Sequence, residues 1–231
     1  MIPLVESRPQ TSPLILPTGL IFLAGLWLVG SWLLTVGLQM PLQPTSASFE
    51  PSLRLLLQSI VVGFVVGWPL LRLSQERFAR PIGQVWLDML VLGTLLQVVI
   101  WLPRLFTSWT VPRTIALDLT LLGWMALVGA LIAAATGTNR LTPRLLVMAT
   151  CLGACLIGPL AGAGGRLHVF DAHDLVLLGP VAVVRALTDS GATLPSTAQW
   201  SAVMLIGLIA LGVWCVLLIA SHFFRGNESG Q

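Results

Sequence analysis

The segment Arg166–Gln199 reads RLHVFDAHDLVLLGPVAVVRALTDSGATLPSTAQ and lies between two long apolar segments of the chain. Within it, Gly179-Pro180 interrupts the apolar run Leu175–Leu187. Apolar runs of roughly 10–14 residues are re-entrant, interfacial or buried more often than they span a bilayer. A proline removes a backbone donor and disfavours helical geometry at the preceding residue. We therefore predict two short helices, one beginning near Asp171–Asp174 and one ending near Asp189–Gly191, which pack against a membrane bundle or dip into its outer face.

The composition is that of a membrane protein. Hydrophobic residues make up 56% of the chain, only 9% of residues are charged, and mean hydropathy is +0.91, whereas about a quarter of the residues in a soluble domain are charged. The net charge is +3, and the 12 basic residues are all arginines spread over many loops. They form no patch that would hold nucleic acid. The sequence therefore predicts an all-α, polytopic protein in contact with the lipid bilayer.

Six segments reach about the 20 residues that a transmembrane helix needs. They are approximately Thr18–Gln39, Leu55–Leu73, Gln84–Leu105, Ile115–Thr136, Leu145–Ala161 and Trp200–Phe223. We assign them to one transmembrane domain, residues 18–223, in which residues 162–199 form an outer-face hairpin region. A proline-rich segment, residues 1–17, precedes this domain, and a polar tail, residues 224–231, follows it. The first apolar segment has no preceding basic region and no cleavage site, so we interpret it as a true span.

The arginines predict the orientation of the chain. The short loop between the second and third segments holds Arg72, Arg77 and Arg80, and short basic loops face the cytoplasm. We therefore predict that both termini are cytoplasmic, that residues 162–199 lie on the outer face, and that the protein resides in a bacterial cytoplasmic (inner) membrane.

Two acidic residues lie inside predicted spans, where charges are expensive. Asp88 lies about one turn into the third segment and Asp118 about one turn into the fourth, which places them near opposite faces. We interpret each as a carboxylate near the start of a helix, where the helix dipole favours a negative charge and interfacial water hydrates it. The alternative is that these residues line a path for protons or substrate. Arg113 precedes Asp118 by five residues and is near enough to pair with it after modest bending.

Small residues recur at four-residue spacing on the second segment, at Ser59, Gly63 and Gly67. This spacing lets helix backbones approach closely in lipid. We predict packing within one bundle, with contact between two copies of the chain in a homodimer as the alternative.

The hairpin region also contains His168, Asp171, His173 and Asp174. Imidazole and carboxylate groups together suit divalent metals such as zinc. Their spacing matches no strong ligand signature, however, and aspartates readily cap helix N-termini. We interpret these residues as outer-face caps and surface, with a metal site as the alternative.

Sequence signatures of catalysis and cofactor binding are missing. The chain has no lysine and hence no Walker A motif, and GxSxG, HExxH and CxxC are also absent, so it cannot itself be a P-loop ATPase. Cys151 and Cys155 share a helix face and could form half of a metal site, but their apolar segment is typical of packed thiols. We predict that the protein is not an enzyme and binds no cofactor. An intramembrane enzyme that uses Asp88, Asp118 or the histidine-containing cluster would need converging polar groups, which the topology separates.

The order of these parts resembles the transmembrane (permease) subunit of ABC-2-type ABC transporters. The matching pieces are the inner loop Arg72–Pro81, which reads RLSQERFARP, and the hairpin Asp174–Thr188, which is followed by the last span. The resemblance implies a permease half with six spans, which dimerises and moves a substrate with the help of a separate cytoplasmic ATPase. It also implies that charged residues of the inner loop contact the ATPase: Arg72, Glu76, Arg77 and Arg80.

A second interpretation is a non-catalytic structural or assembly subunit of a larger membrane complex, for example a respiratory complex. It accounts equally well for the missing catalytic motifs, the small-residue helix faces and the short loops. It predicts stable association with other membrane subunits and no ATPase partner.

Overall fold

The computed structural model describes residues 17–38, 45–75, 80–105, 107–137, 140–164, 179–189 and 192–228. Every regular element in these ranges is helical, which confirms the prediction of an all-α, polytopic membrane protein. The α-helices are α1 (Thr18–Trp32), α2 (Ser46–Val62), α3 (Trp68–Leu73), α4 (Pro81–Trp101), α5 (Val111–Thr136), α6 (Leu141–Gly164), α7 (Pro180–Thr188) and α8 (Thr197–Glu228).

Five helical stretches in the described ranges are long and apolar enough to cross a membrane. They are Thr18–Gly37, Ser48–Leu73, Pro81–Leu105, Val111–Thr136 and Thr197–His222. They correspond to the first four predicted spans and the last. The predicted span Leu145–Ala161 falls in α6, whose described apolar stretch, Leu141–Ile157, is shorter. The structure thus supports five spans, and the sixth stays a prediction.

The second long helix begins earlier than the predicted Leu55. Thr45 and Ser48 form a reciprocal capping box: the Ser48 amide donates to Thr45 Oγ1 at 3.2 Å, and the Thr45 amide donates to Ser48 Oγ at 3.0 Å. Such a box satisfies two amides that a helix start otherwise leaves free. The helix therefore starts at Ser46 and continues through Pro51, which precedes the predicted span.

Two of the long helices contain π-helical turns. One turn, Leu33–Gly37, extends α1, and the other, Gly63–Gly67, joins α2 to α3 without a break. A π-turn carries an extra residue within the helix and often marks a functional site. The second turn therefore rotates the side chains of α3 relative to those of α2.

Helix α5 is the centre of the bundle. In its spanning window 56% of residues are buried, against 17% for the first helix and 28% for the last. At Gly123 an added Cβ would lie 3.1 Å from Ile206 Cγ2, so α5 and α8 are in close contact there. Trp214 Nε1 donates to the Ala126 carbonyl at 2.9 Å and links the same two helices. Helix α1, by contrast, lies at the edge.

The short helix α7 corresponds to the second arm of the predicted hairpin. It begins at Pro180, ends with Asp189 as its C-cap, and buries Val183, Val184 and Leu187 against α2, α5 and α6. The first arm, predicted to begin near Asp171–Asp174, lies outside the described residues.

Candidate functional site

A buried ion pair joins α3 to α4. Arg72 Nε lies 2.5 Å from Asp88 Oδ2, and the guanidinium makes a second bond to Asp88 Oδ1. The Asp88 side chain is 0% exposed and that of Arg72 6%. Trp68 Nε1 also donates to Oδ2 at 3.2 Å, and Gln84 Nε2 donates to Oδ1 at 3.5 Å. Four hydrogen bonds from three side chains, one of which carries a full countercharge, thus stabilise a carboxylate that could not otherwise be buried as an anion.

This pair corrects two predictions. Asp88 is not wetted by the interface, because α4 begins at Pro81 and carries it about two turns inside the bundle. Arg72 is not available for docking a cytoplasmic partner, because its guanidinium is buried against Asp88 and Gln75 Oε1, which it contacts at 2.8 Å. The sequence did not reveal the pairing because Asp88 follows Arg72 by 16 positions and lies on another helix.

Arg144 from the start of α6 closes the same end of the bundle. Its Nη1 donates to the carbonyls of Leu73 at 3.1 Å and Gln75 at 2.9 Å. The last carbonyls of a helix lack intrahelical partners, and a cation is favourable there. Arg144 and the Arg72–Asp88 pair therefore tie α3, α4 and α6 together at this end of the bundle.

A second polar site surrounds the C-terminal end of α7. Arg113 of α5 is fully buried and bonds the Leu187 carbonyl through Nη1. Its Nε and Nη2 donate to the Thr193 carbonyl at 2.9 and 2.7 Å, and Nη2 also reaches Thr193 Oγ1 at 2.9 Å. The fork geometry of arginine lets one side chain hold both the helix end and the turn that follows it.

Two other helices contribute to this C-terminal site. Gln199 Nε2 of α8 donates to the Ala186 carbonyl at 3.0 Å. Arg54 of α2 donates to the Thr188 carbonyl at 3.5 Å and forms an ion pair with Asp189. Side chains from three helices thus satisfy carbonyls at the end of α7, where the last carbonyls of a helix lack intrahelical partners. We call these three side chains, Arg54, Arg113 and Gln199, the α7 clamp.

Asp118 does not pair with Arg113, contrary to expectation, because the arginine side chain is held by the end of α7. Instead Asp118 Oδ1 accepts a hydrogen bond from Gln97 Nε2 of α4 at 2.7 Å. Gln97 Oε1 in turn accepts from Trp101 Nε1 at 3.0 Å, which fixes the orientation of the amide. The half-buried Asp118 therefore serves as an acceptor between α4 and α5.

We expect Gln97→Leu to destabilise the bundle by about 1 kcal/mol, since interhelical hydrogen bonds in membrane proteins contribute about 0.6 and at most about 1.7 kcal/mol. The free energy of unfolding, measured by titration with sodium dodecyl sulfate in mixed micelles, checks this. Thr94→Val is the matched control, because Thr94 is exposed on the same helix and bonds only the Leu90 carbonyl of that helix. A loss above about 3 kcal/mol for Gln97→Leu would contradict an ordinary interhelical role.

Two of the three small residues of the second span contact α1. Ser59 Oγ and Ser31 Oγ lie 2.7 Å apart, and an added Cβ at Gly63 would lie 2.5 Å from Trp27 Nε1. At Gly67 an added Cβ would meet nothing within 4 Å. Two of the three positions thus serve packing inside this chain, while Gly67 faces open space.

Of the predicted inner-loop contacts, Arg80 is described and exposed, whereas Glu76 and Arg77 lie outside the described residues. The cluster His168, Asp171, His173 and Asp174 lies outside them too.

Cys151 and Cys155 are buried free thiols, as packed cysteines should be. In the ranges that the structure covers, no group of three or more His, Cys, Asp and Glu side chains could hold a metal ion.

Sequence reasoning missed the roles of Arg54, Arg144 and Gln199, and it gave Arg113 the wrong partner. Arg113 and Arg144 lie in the first turn of a long helix, a position that is also typical of an interfacial anchor, and Arg54 lies about two turns into α2 but just outside the span that hydropathy predicts. A usable signal was the short helix itself, since its unpaired carbonyls require donors from elsewhere in the fold.

The sequence matches no protein-family model, and no curated protein and no solved structure is significantly similar to it.

Proposed function

We propose that the chain is the permease subunit of an ABC-2-like transporter, which moves its substrate with a separate ATPase. The α7 clamp is the observation that supports this most. A short helix between the fifth and last long apolar segments is seated in the bundle by Arg54, Arg113 and Gln199 from three helices. This is the part of the chain whose order resembles the ABC-2 permease layout.

The opposite end of the bundle suits coupling to a partner. Helices α3 and α4 flank the predicted inner loop in the chain, and the Arg72–Asp88 pair joins these two helices. A force applied at this loop would therefore move two helices as a unit. Arg80, exposed at the start of α4, supplies a positive charge at that surface.

We expect that a tagged chain extracted in mild detergent copurifies with a soluble protein that carries Walker A and Walker B motifs. Replacing Arg77 and Arg80 by alanine should lower its recovery about tenfold, as the loss of two interfacial charge contacts would. Mass spectrometry of the bound proteins measures the effect. Arg104→Ala is the matched control, because Arg104 is exposed just beyond the other end of α4. If the ATPase is recovered equally well with the Arg77 and Arg80 replacements and with Arg104→Ala, docking at this loop is contradicted.

A structural or assembly subunit is the second candidate, and a specific observation favours it. The buried charged side chains of Arg72, Asp88 and Arg113 are engaged with other parts of this chain. Such contacts hold helices in place and do not require transport. Copurification with integral membrane subunits alone, and with no ATPase, would establish this function and refute the permease.

A further inference from the structure

A cavity of about 220 Å³ lies between α1, the continuous helix α2–α3, and α4. It exceeds the volume of about 150 Å³ at which an apolar cavity in a protein already binds small hydrocarbons. The residues at its two ends and on its inner wall are Leu20, Leu28, Phe64, Gly67, Leu96 and Met125.

The cavity offers no polar partner to a ligand. Apart from Trp27 and Trp68, its lining side chains are aliphatic, phenyl, thioether or glycine. Trp27 Nε1 already donates to the Ser59 carbonyl at 3.1 Å, and Trp68 Nε1 donates to Asp88 Oδ2 at 3.2 Å. Water needs two or more polar partners to occupy such a space, so the cavity selects an apolar occupant.

Two glycines of the π-turn shape this space. An added Cβ at Gly63 would lie 2.5 Å from Trp27 Nε1, so this glycine admits the indole and brings α1 close. At Gly67, one turn further on, an added Cβ would meet nothing within 4 Å. The Trp27 indole thus closes the cavity at Gly63, whereas the space beside Gly67 remains open.

The dimensions match one chain of a lipid. The lining residues of α1 run from Leu20 to Leu28, a rise of about 12 Å at 1.5 Å per residue. One leaflet of a hydrocarbon core about 30 Å thick is of similar depth. The cavity includes Leu71 and Trp68, so one end of it lies beside Arg72 at the end of the bundle. An occupant can therefore run along the leaflet from this charged end toward the bilayer centre.

We propose that this cavity binds one acyl chain of a membrane phospholipid. Helix α1 forms one wall of the cavity and is itself little buried, with 17% of its window buried, so lipid contacts this edge of the bundle. The bound chain fills the space behind α1 and fixes this edge helix to α2 and α4. The site is independent of whether the chain is a permease or a structural subunit.

Photolabelling tests the site in the full-length protein. The protein is reconstituted in vesicles of palmitoyl-oleoyl-phosphatidylglycerol that contain a phosphatidylcholine with a diazirine in the middle of one acyl chain. We expect adducts on Leu96 and Met125, each only 4% exposed, which bulk lipid cannot reach. Val98, which is 62% exposed on α4, reports labelling by the surrounding lipid.

Filling the cavity should remove the inner labels. In Gly67→Leu we expect labelling of Leu96 and Met125 to fall about tenfold, equivalent to ~1.4 kcal/mol of binding, while labelling of Val98 stays unchanged. Gly153→Leu is the matched control: its added Cβ also meets nothing within 4 Å, but it lies on α6 and does not line the cavity.

Ala24→Leu fills the cavity from the α1 side and serves if Gly67→Leu fails to fold. Loss of the inner labels in either folded variant supports the site. The absence of adducts on Leu96 and Met125 in the wild type would overturn it, as would adducts that persist in a folded, filled variant.

Discussion

Replacing Asp88 by leucine is expected to destabilise the protein by about 3–5 kcal/mol, because removal of one partner leaves the other charge buried and uncompensated. The change would strand the Arg72 guanidinium, whose side chain is 6% exposed, and would take an acceptor from Trp68 and Gln84. Titration with sodium dodecyl sulfate in mixed micelles, followed to complete unfolding, measures the loss.

The double replacement of Arg72 by methionine and Asp88 by leucine distinguishes the cost of the unpaired guanidinium from the cost of the other lost contacts. It should recover about 2 kcal/mol relative to Asp88→Leu alone, since well-packed apolar side chains can replace a buried ion pair. Recovery should be incomplete, because the Trp68 indole loses its acceptor. Arg104→Leu is the surface control and should change stability by less than about 0.5 kcal/mol. A double variant as unstable as the single one would show that the guanidinium is not the source of the loss.

Arg113→Leu is expected to release α7 from the bundle and to cost roughly 3–5 kcal/mol of global stability. A buried carbonyl left without a donor, here that of Leu187, costs about 1–3 kcal/mol, and each of the two further hydrogen bonds to the carbonyl of the exposed Thr193 contributes about 1 kcal/mol. Locally, hydrogen exchange over residues 179–189 should accelerate at least about tenfold, because the opening free energy of the helix falls by more than 1.4 kcal/mol. Mass spectrometry of the exchanged peptides measures this directly.

Two further variants serve as controls for Arg113→Leu. Arg113→Lys keeps the charge but loses the fork, so we expect an intermediate loss of protection over residues 179–189. Arg185→Ala, on α7 itself, removes only an exposed i,i+4 contact with Asp189 at 3.7 Å and should cost less than about 1 kcal/mol. Equal exchange rates in Arg113→Leu and the wild type would show that α7 is held by its apolar face alone.

The π-turn at Gly63–Gly67 contributes to both the buried pair and the apolar cavity. It turns Trp68 and Arg72 toward Asp88 and leaves Gly67 facing open space. Hydropathy reads the helix as regular here, although Pro69, two residues beyond the turn, cannot donate a backbone hydrogen bond to the Val65 carbonyl within it. Its position depends on the packing of α1 and α4 around it.

The membrane class, the long helices and the break at Gly179-Pro180 could be predicted from the sequence, because each is a local property. A long apolar run predicts a membrane-spanning helix wherever it lies in the chain. A proline favours the first position of a helix without needing a tertiary contact. The predicted start of the second long helix was too late, because hydropathy marks only its apolar part. The helix begins at Ser46, where a capping box satisfies its first amides.

The partners of the charged residues were decided only by the tertiary structure. Arg72 joins Asp88 across 16 positions, and Arg113 reaches Leu187 across 74. Membrane helices are apolar on nearly all sides, so their sequence pattern does not mark the side that faces protein. A soluble helix would have shown that side as an apolar stripe. Here the cost of leaving a charge or a carbonyl unpaired in lipid selects the contacts, and it acts only once the helices are packed.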